Sequence, residues 1–126
     1  MVPTDLHYTK EHEWAKIQGD TVTVGITDYA QQSLGEITFV ELPPLNKQVP
    51  FNDALAVVES SKAASDVYAP LAGTVVEVNM ALESQPELIN QDCYGQGWIC
   101  RLRLDNPGRT DELLSPAEYE EYLKSV

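Results

Sequence analysis

The chain has 126 residues, 43% of them apolar, which is enough for a hydrophobic core and excludes a disordered polymer. Twenty acidic residues against eight basic ones give a net charge of −12, which disfavours binding to nucleic acid or to anionic membranes. Positive patches on other proteins are the natural counterpart of such a surface.

In chain order, Met1-Val2-Pro3-Thr4-Asp5 lacks the basic region and apolar stretch of a signal or transit peptide. No later run approaches a membrane span, so a cytoplasmic protein is expected. Thr21 to Ile26 reads as a strand with Val22, Val24 and Ile26 on one face. Thr27 caps a helix that runs to Leu34, where Gly35 would close it in the left-handed conformation. Ile37 to Leu42 is β-rich and stops at Pro43-Pro44. Ala54 to Val58 and Gly73 to Val78 are two further strands, and the second echoes Gly19 to Val24. Trp98 to Leu104 alternates, placing Trp98, Cys100, Leu102 and Leu104 inward and Arg101 and Arg103 outward. Ser115-Pro116-Ala117-Glu118 is a capping box with proline at the first helical position, and Tyr119, Tyr122 and Leu123 follow at helical spacing through Lys124. Many short strands with two peripheral helices predict a small all-β barrel or sandwich. The expected organisation is one domain over 1–126, with a core at about 8–105 and a C-terminal helical segment at about 110–125.

Cys93 and Cys100 have neither redox nor zinc spacing and read as reduced thiols, Cys100 in the core and Cys93 in a loop. His12 lies between Glu11 and Glu13, but with one other histidine and no HExxH pattern it reads as a packed or surface residue, and no metal is expected. Trp14 and Trp98 read as core aromatics.

The segment Glu59-Ser60-Ser61-Lys62-Ala63-Ala64-Ser65-Asp66 sets one lysine among small residues between two strands. That pattern presents the ε-amine at a hairpin tip, where a modifying enzyme can reach it and an attached arm can visit several sites. On geometry alone a solvated surface lysine is the commoner outcome.

This segment resembles the lipoylation site of the H proteins of the glycine cleavage system, in which the lysine follows Glu-Ser-x and precedes Ala-x-Ser-Asp. Further blocks keep that family's order over residues 8–122. They are His12-Glu13-Trp14, Val24-Gly25-Ile26-Thr27-Asp28-Tyr29, Leu34-Gly35-Glu36-Ile37 and Phe39-Val40-Glu41-Leu42-Pro43. Tyr68-Ala69-Pro70-Leu71-Ala72-Gly73, Pro86-Glu87-Leu88-Ile89-Asn90 and Gly97-Trp98 complete the series. Several blocks in order are specific where one would be weak.

The resemblance implies a lipoyl-domain-like flattened barrel or barrel-sandwich hybrid, and lipoic acid bound covalently to Lys62. It implies a non-catalytic carrier that takes an aminomethyl group from glycine decarboxylase (the P protein) to aminomethyltransferase (the T protein). Dihydrolipoamide dehydrogenase (the L protein) then reoxidises it. A lipoylating enzyme is the fourth partner, with Glu59, Ser61 and Ala63 as its recognition residues. In the family the loaded arm folds into a cleft, and by motif position Glu13 and Asp66 are the acids available there. Glu11 stands where many relatives have Ser, and Ser33 where some have His. A monomer is the simplest expectation. The rival readings are a lipoyl domain of a 2-oxo acid dehydrogenase, whose lysine usually sits in Asp-Lys-Ala, and a biotin carrier, whose lysine is flanked by Met. An unmodified relative acting only as a lipoyl donor or an interaction module is a third. A small enzyme is unsupported, since no nucleophile arrangement or phosphate loop is present.

Overall fold

The computed structural model describes residues 2–107, 110 and 112–126. Residues 1, 108, 109 and 111, at the expected N-terminus and the start of the expected C-terminal segment, lie outside the described residues. The elements run β1 (His7–Tyr8), β2 (Glu13–Gln18), β3 (Thr21–Ile26), α1 (Asp28–Leu34), β4 (Ile37–Glu41) and β5 (Gln48–Val49). They continue with β6 (Ala54–Ser60), β7 (Ala64–Tyr68), β8 (Gly73–Val78), α2 (Ala81–Ser84), α3 (Leu88–Gln91), β9 (Cys100–Leu104) and α4 (Pro116–Leu123).

Two antiparallel sheets form, a six-stranded one in the order β1-β2-β3-β9-β8-β5 and a three-stranded one in the order β4-β6-β7. They face each other across a core that includes Val22, Val24, Val58, Val67, Val75 and Leu102, and neither closes on itself. The expected sandwich with peripheral helices is therefore what forms. Among the described residues no helix is long and apolar enough to cross a membrane.

The echo between the two Gly-Val segments has a structural counterpart. β3 and β8 flank β9 on opposite sides, so Val22 and Val75 both pair with Leu102, and Thr21 and Thr74 both pair with Arg103. β3 differs from expectation in being buried on both faces, because Trp14 of β2 covers its outer side opposite Gly25. A Cβ at Gly25 would stand 2.5 Å from the Trp14 indole, so this position requires glycine for the close approach. β9 begins two residues later than expected, and Trp98 before it is half-buried under the Arg101 guanidinium, 4.2 Å from the ring centre.

The helix ends follow local chemistry. Thr27 Oγ1 accepts from the Ala30 N–H, and Ser115 and Glu118 complete a reciprocal capping box with Pro116 at the first position. Gly35 has φ +84° and ψ −151°, a glycine conformation but not the left-handed cap expected. α2 and α3, four residues each, were not anticipated. They are too short to show a helical period.

A second apolar cluster joins the chain ends. Tyr8 stacks on Tyr119 of α4 at 4.7 Å between ring centres, with Leu6 and Trp14 completing the buried set.

Candidate functional site

The β6–β7 hairpin carries the lysine. Glu59 and Ala64 are the last paired residues, and the chain turns through Ser61, Lys62 and Ala63, all exposed. Ser60 builds the turn. Its N–H donates to the Ala63 carbonyl at 2.8 Å, and its Oγ accepts from the N–H groups of Lys62 and Ala63 at 3.2 Å each. A serine hydroxyl satisfying backbone donors two and three residues on is a local turn-former. Lys62 is thus held at the tip by its neighbour's side chain, while its own side chain remains available.

Among the described residues Lys62 has no salt-bridge partner. Its methylene stem passes over Gly35, where a Cβ would lie 3.2 Å from Cε and 3.7 Å from Nζ. The Gly35 turn is itself fixed by Asn90, whose Nδ2 donates to the Gly35 carbonyl at 2.8 Å and whose Oδ1 accepts from the Ile37 N–H at 2.9 Å. None of Ser60, Gly35 and Asn90 was read from the sequence as a residue of the site. Ser60 was legible as a turn-former two residues before Lys62, but the Gly35 and Asn90 contacts cross the fold and leave no local signal.

An exposed amine, flanked by Ser61, Ala63 and Ala64, suits acylation by a bulky donor. The surroundings therefore fit a group joined to Lys62 through an amide. Glu59 is half-buried at the base of the turn, and Ser61 and Ala63 flank the lysine at its exposed tip.

Glu13 and Asp66 occupy contrasting places. Asp66 is exposed on β7 and lines an open groove of about 450 Å³ with Glu41, Leu42, Pro43 and Val57, to which Glu13 does not contribute. Glu13, by contrast, is only 2% exposed and is not a solvated surface acid. Its Oε2 accepts from the Tyr68 N–H at 3.0 Å and its Oε1 from the Thr9 hydroxyl, so one carboxylate links β2 of the large sheet to β7 of the small one. Burial pushes its pKa up to about 7, against the opposing pull of the bonds from Thr9 and Tyr68. The structure does not bring Glu13 and Asp66 together in one cavity; both belong to the surroundings of β7.

His12 sits at φ +70°, in the turn between β1 and β2. Its Nδ1 lies 2.8 Å from the Tyr119 hydroxyl, which also bonds to Thr27 Oγ1 at 2.8 Å. Its ring packs on Tyr29, 4.4 Å between centres. The packed reading of His12 fits this environment, and burial lowers its pKa. Cys93 and Cys100 are free and buried. Burial pushes both thiols up to about 12, leaving them without thiolate reactivity near neutrality. The Cys93 carbonyl accepts from Trp14 Nε1 at 2.9 Å.

Comparison with known proteins agrees with this geometry. The family described as "Glycine cleavage H-protein" matches residues 6–126. A glycine cleavage system H protein of Thermus thermophilus is 58% identical over 124 residues, covering 98% of this chain and 97% of the relative. One from Carboxydothermus hydrogenoformans is 50% identical, covering 98% and 95%. The crystal structure of a glycine cleavage system H protein from Mycobacterium marinum superposes with a TM-score of 0.89 at 36% identity, covering 99% of this chain and 100% of that one. This chain belongs to the glycine cleavage H-protein family.

Proposed function

We propose that the chain is the lipoyl-carrying subunit of a glycine cleavage system, with lipoic acid attached to Lys62. The observation that carries this reading is an unpaired lysine at a hairpin tip shaped by Ser60, in a chain similar to H proteins along nearly its whole length. Attachment is an acyl transfer. The Lys62 ε-amine, having lost a proton to solvent, attacks an activated lipoyl carbonyl; the amide bond forms and the activating group departs with its electron pair. When bound, the lipoyl group supplies a disulfide that accepts and releases electrons and a one-carbon amine unit by thiol chemistry.

The protein's own residues supply position and charge. Ser60 holds the turn, so the point of attachment is constant while the arm beyond it sweeps. Gly35 leaves room for the stem beside α1. Asp66 offers an anion to an amine carried on the arm, four residues from its root. Glu13, beneath β7, is the second such acid; burial favours its neutral form, and an approaching ammonium would offset this by favouring the charged one. The chain works as one carrier domain, without catalytic residues. It serves the P, T and L proteins and a lipoylating enzyme in turn, and its acidic surface steers these encounters.

The test is reconstitution. Lipoylated protein, combined with the three enzymes, tetrahydrofolate and NAD+, should support glycine-dependent NADH formation. Lys62→Arg carried through the same lipoylation should support none. Equal rates with wild type and variant would sink the assignment. Raised salt should increase the apparent Michaelis constants for the carrier, and unchanged constants would remove the steering.

A further inference from the structure

The outer face of the β4-β6-β7 sheet has an unusual composition for a surface beside a modification site. Register places Phe39, Glu59 and Ala64 opposite one another in one row, and Glu41, Val57 and Asp66 in the next. Alternation turns Val40, Val58 and Val67 into the core, so both rows point away from it. Phe39 is 52% exposed, the one large apolar side chain of this sheet so exposed among the described residues. Three carboxylates surround it and Val57, and none of the three has a salt-bridge partner among the described residues. The second row opens into the groove lined by Leu42, Pro43, Val57 and Asp66, with Lys47 at its wall.

We propose that this face is the docking surface for the enzyme that acylates Lys62. Phe39 is the apolar anchor, and Glu41, Glu59 and Asp66 form its anionic rim. The partner it fits is a basic surface carrying an apolar pocket beside its active site. Charge complementarity sets the basic character, because three uncompensated acids within two rows repel an acidic partner and would lose hydration without compensation against a neutral one. Position sets which enzyme docks there. An enzyme that bonds to the ε-amine must bring its catalytic centre to the hairpin itself and so must cover the adjacent row, Phe39-Glu59-Ala64. Enzymes that act at the far end of the attached arm are under no such constraint. An aromatic anchor with polar groups around it is also the anatomy of an interface, in which the anchor is buried on binding and the rim stays solvated. This inference rests on the reading of Lys62 as the acylation site.

The test uses the unmodified full chain and a lipoate ligase supplied with lipoate and ATP, followed by intact mass. Phe39→Ala should raise the KM for the protein substrate about tenfold or more, with kcat within about twofold, as loss of an anchoring aromatic predicts. The pair Glu41→Gln and Asp66→Gln, exposed and remote from the core, should lower kcat/KM severalfold at low salt and flatten its salt dependence. Phe51→Ala, an exposed aromatic before the far end of β6, should leave the rate unchanged. Direct binding of the unmodified protein to the ligase should weaken in the same order. Wild-type rates and affinities in both Phe39→Ala and the double variant would overturn the docking surface while leaving the carrier reading intact. So would a loss confined to reactions of the attached arm. No lipoyl uptake by wild type would instead remove the reading on which it rests.

Discussion

At the tip of the β6–β7 hairpin every residue from Ser61 to Asp66 is exposed, and the bonds that shape the turn all involve Ser60. Beneath α4 the pattern reverses: Tyr8, Trp14 and Tyr119 are no more than 2% exposed, and the Trp14 indole and the Tyr119 hydroxyl bond across long stretches of chain. The first region is ordered locally and left accessible. The second is ordered by distant partners and closed to solvent. A carrier needs both, an attachment point that any enzyme can reach and a body that does not change shape as enzymes take turns. Glu13 stands between them, packed with the buried region yet bonded to the end of β7.

The sharpest way to break this contrast is Lys62→Arg. It should abolish carrier function while unfolding stability stays within about 0.5 kcal/mol of wild type, since the side chain is exposed and unpaired. A large stability loss would mean that the hairpin is not independent of the body. Tyr119→Ala should do the opposite, costing about 3–5 kcal/mol in denaturant unfolding while folded protein is still acylated. Tyr119→Phe, which keeps the ring but leaves His12 Nδ1 without its partner and Thr27 Oγ1 with only its bond from Ala30, should cost about 1–2 kcal/mol.

Glu13 sharpens the comparison through pH. Its folded pKa, raised to about 7 from 4.5, means that the folded state binds the proton more tightly than the unfolded chain. Its contribution is therefore full below about pH 4.5 and is lost as pH rises to about 7, a decline of about 3 kcal/mol at most. Glu13→Gln should flatten that decline, as measured by urea unfolding at pH 4.5, 6 and 7.5. Parallel curves for the two proteins would refute the buried-carboxylate account. The smallest effect is expected for Ser60→Ala, a loss of about 1 kcal/mol at most. It should appear chiefly as faster hydrogen exchange at the Lys62 and Ala63 amides.

What the sequence revealed divides along the same line. Features with a local cause were legible: the capping box at Ser115, the alternation of β3 and β8, and Lys62 between two strands. Features caused by distant partners were not. Glu13 resembles its solvated neighbour Glu11 until the fold brings the Tyr68 N–H to it across 55 residues. Gly35 has the composition of an ordinary helix stop, and only the packed hairpin shows that its missing side chain makes room for Lys62. β5, two residues long, exists only because β8 pairs with it.

The central claim is that Lys62 carries the lipoyl group, and intact mass tests it most directly. Wild type and Lys62→Arg are co-expressed with a lipoylating enzyme in medium containing lipoate, then weighed. The account predicts a gain of one lipoyl group in wild type and none in the variant. An equal gain in both would move the attachment elsewhere, and no gain in either would leave an H-protein fold without its arm.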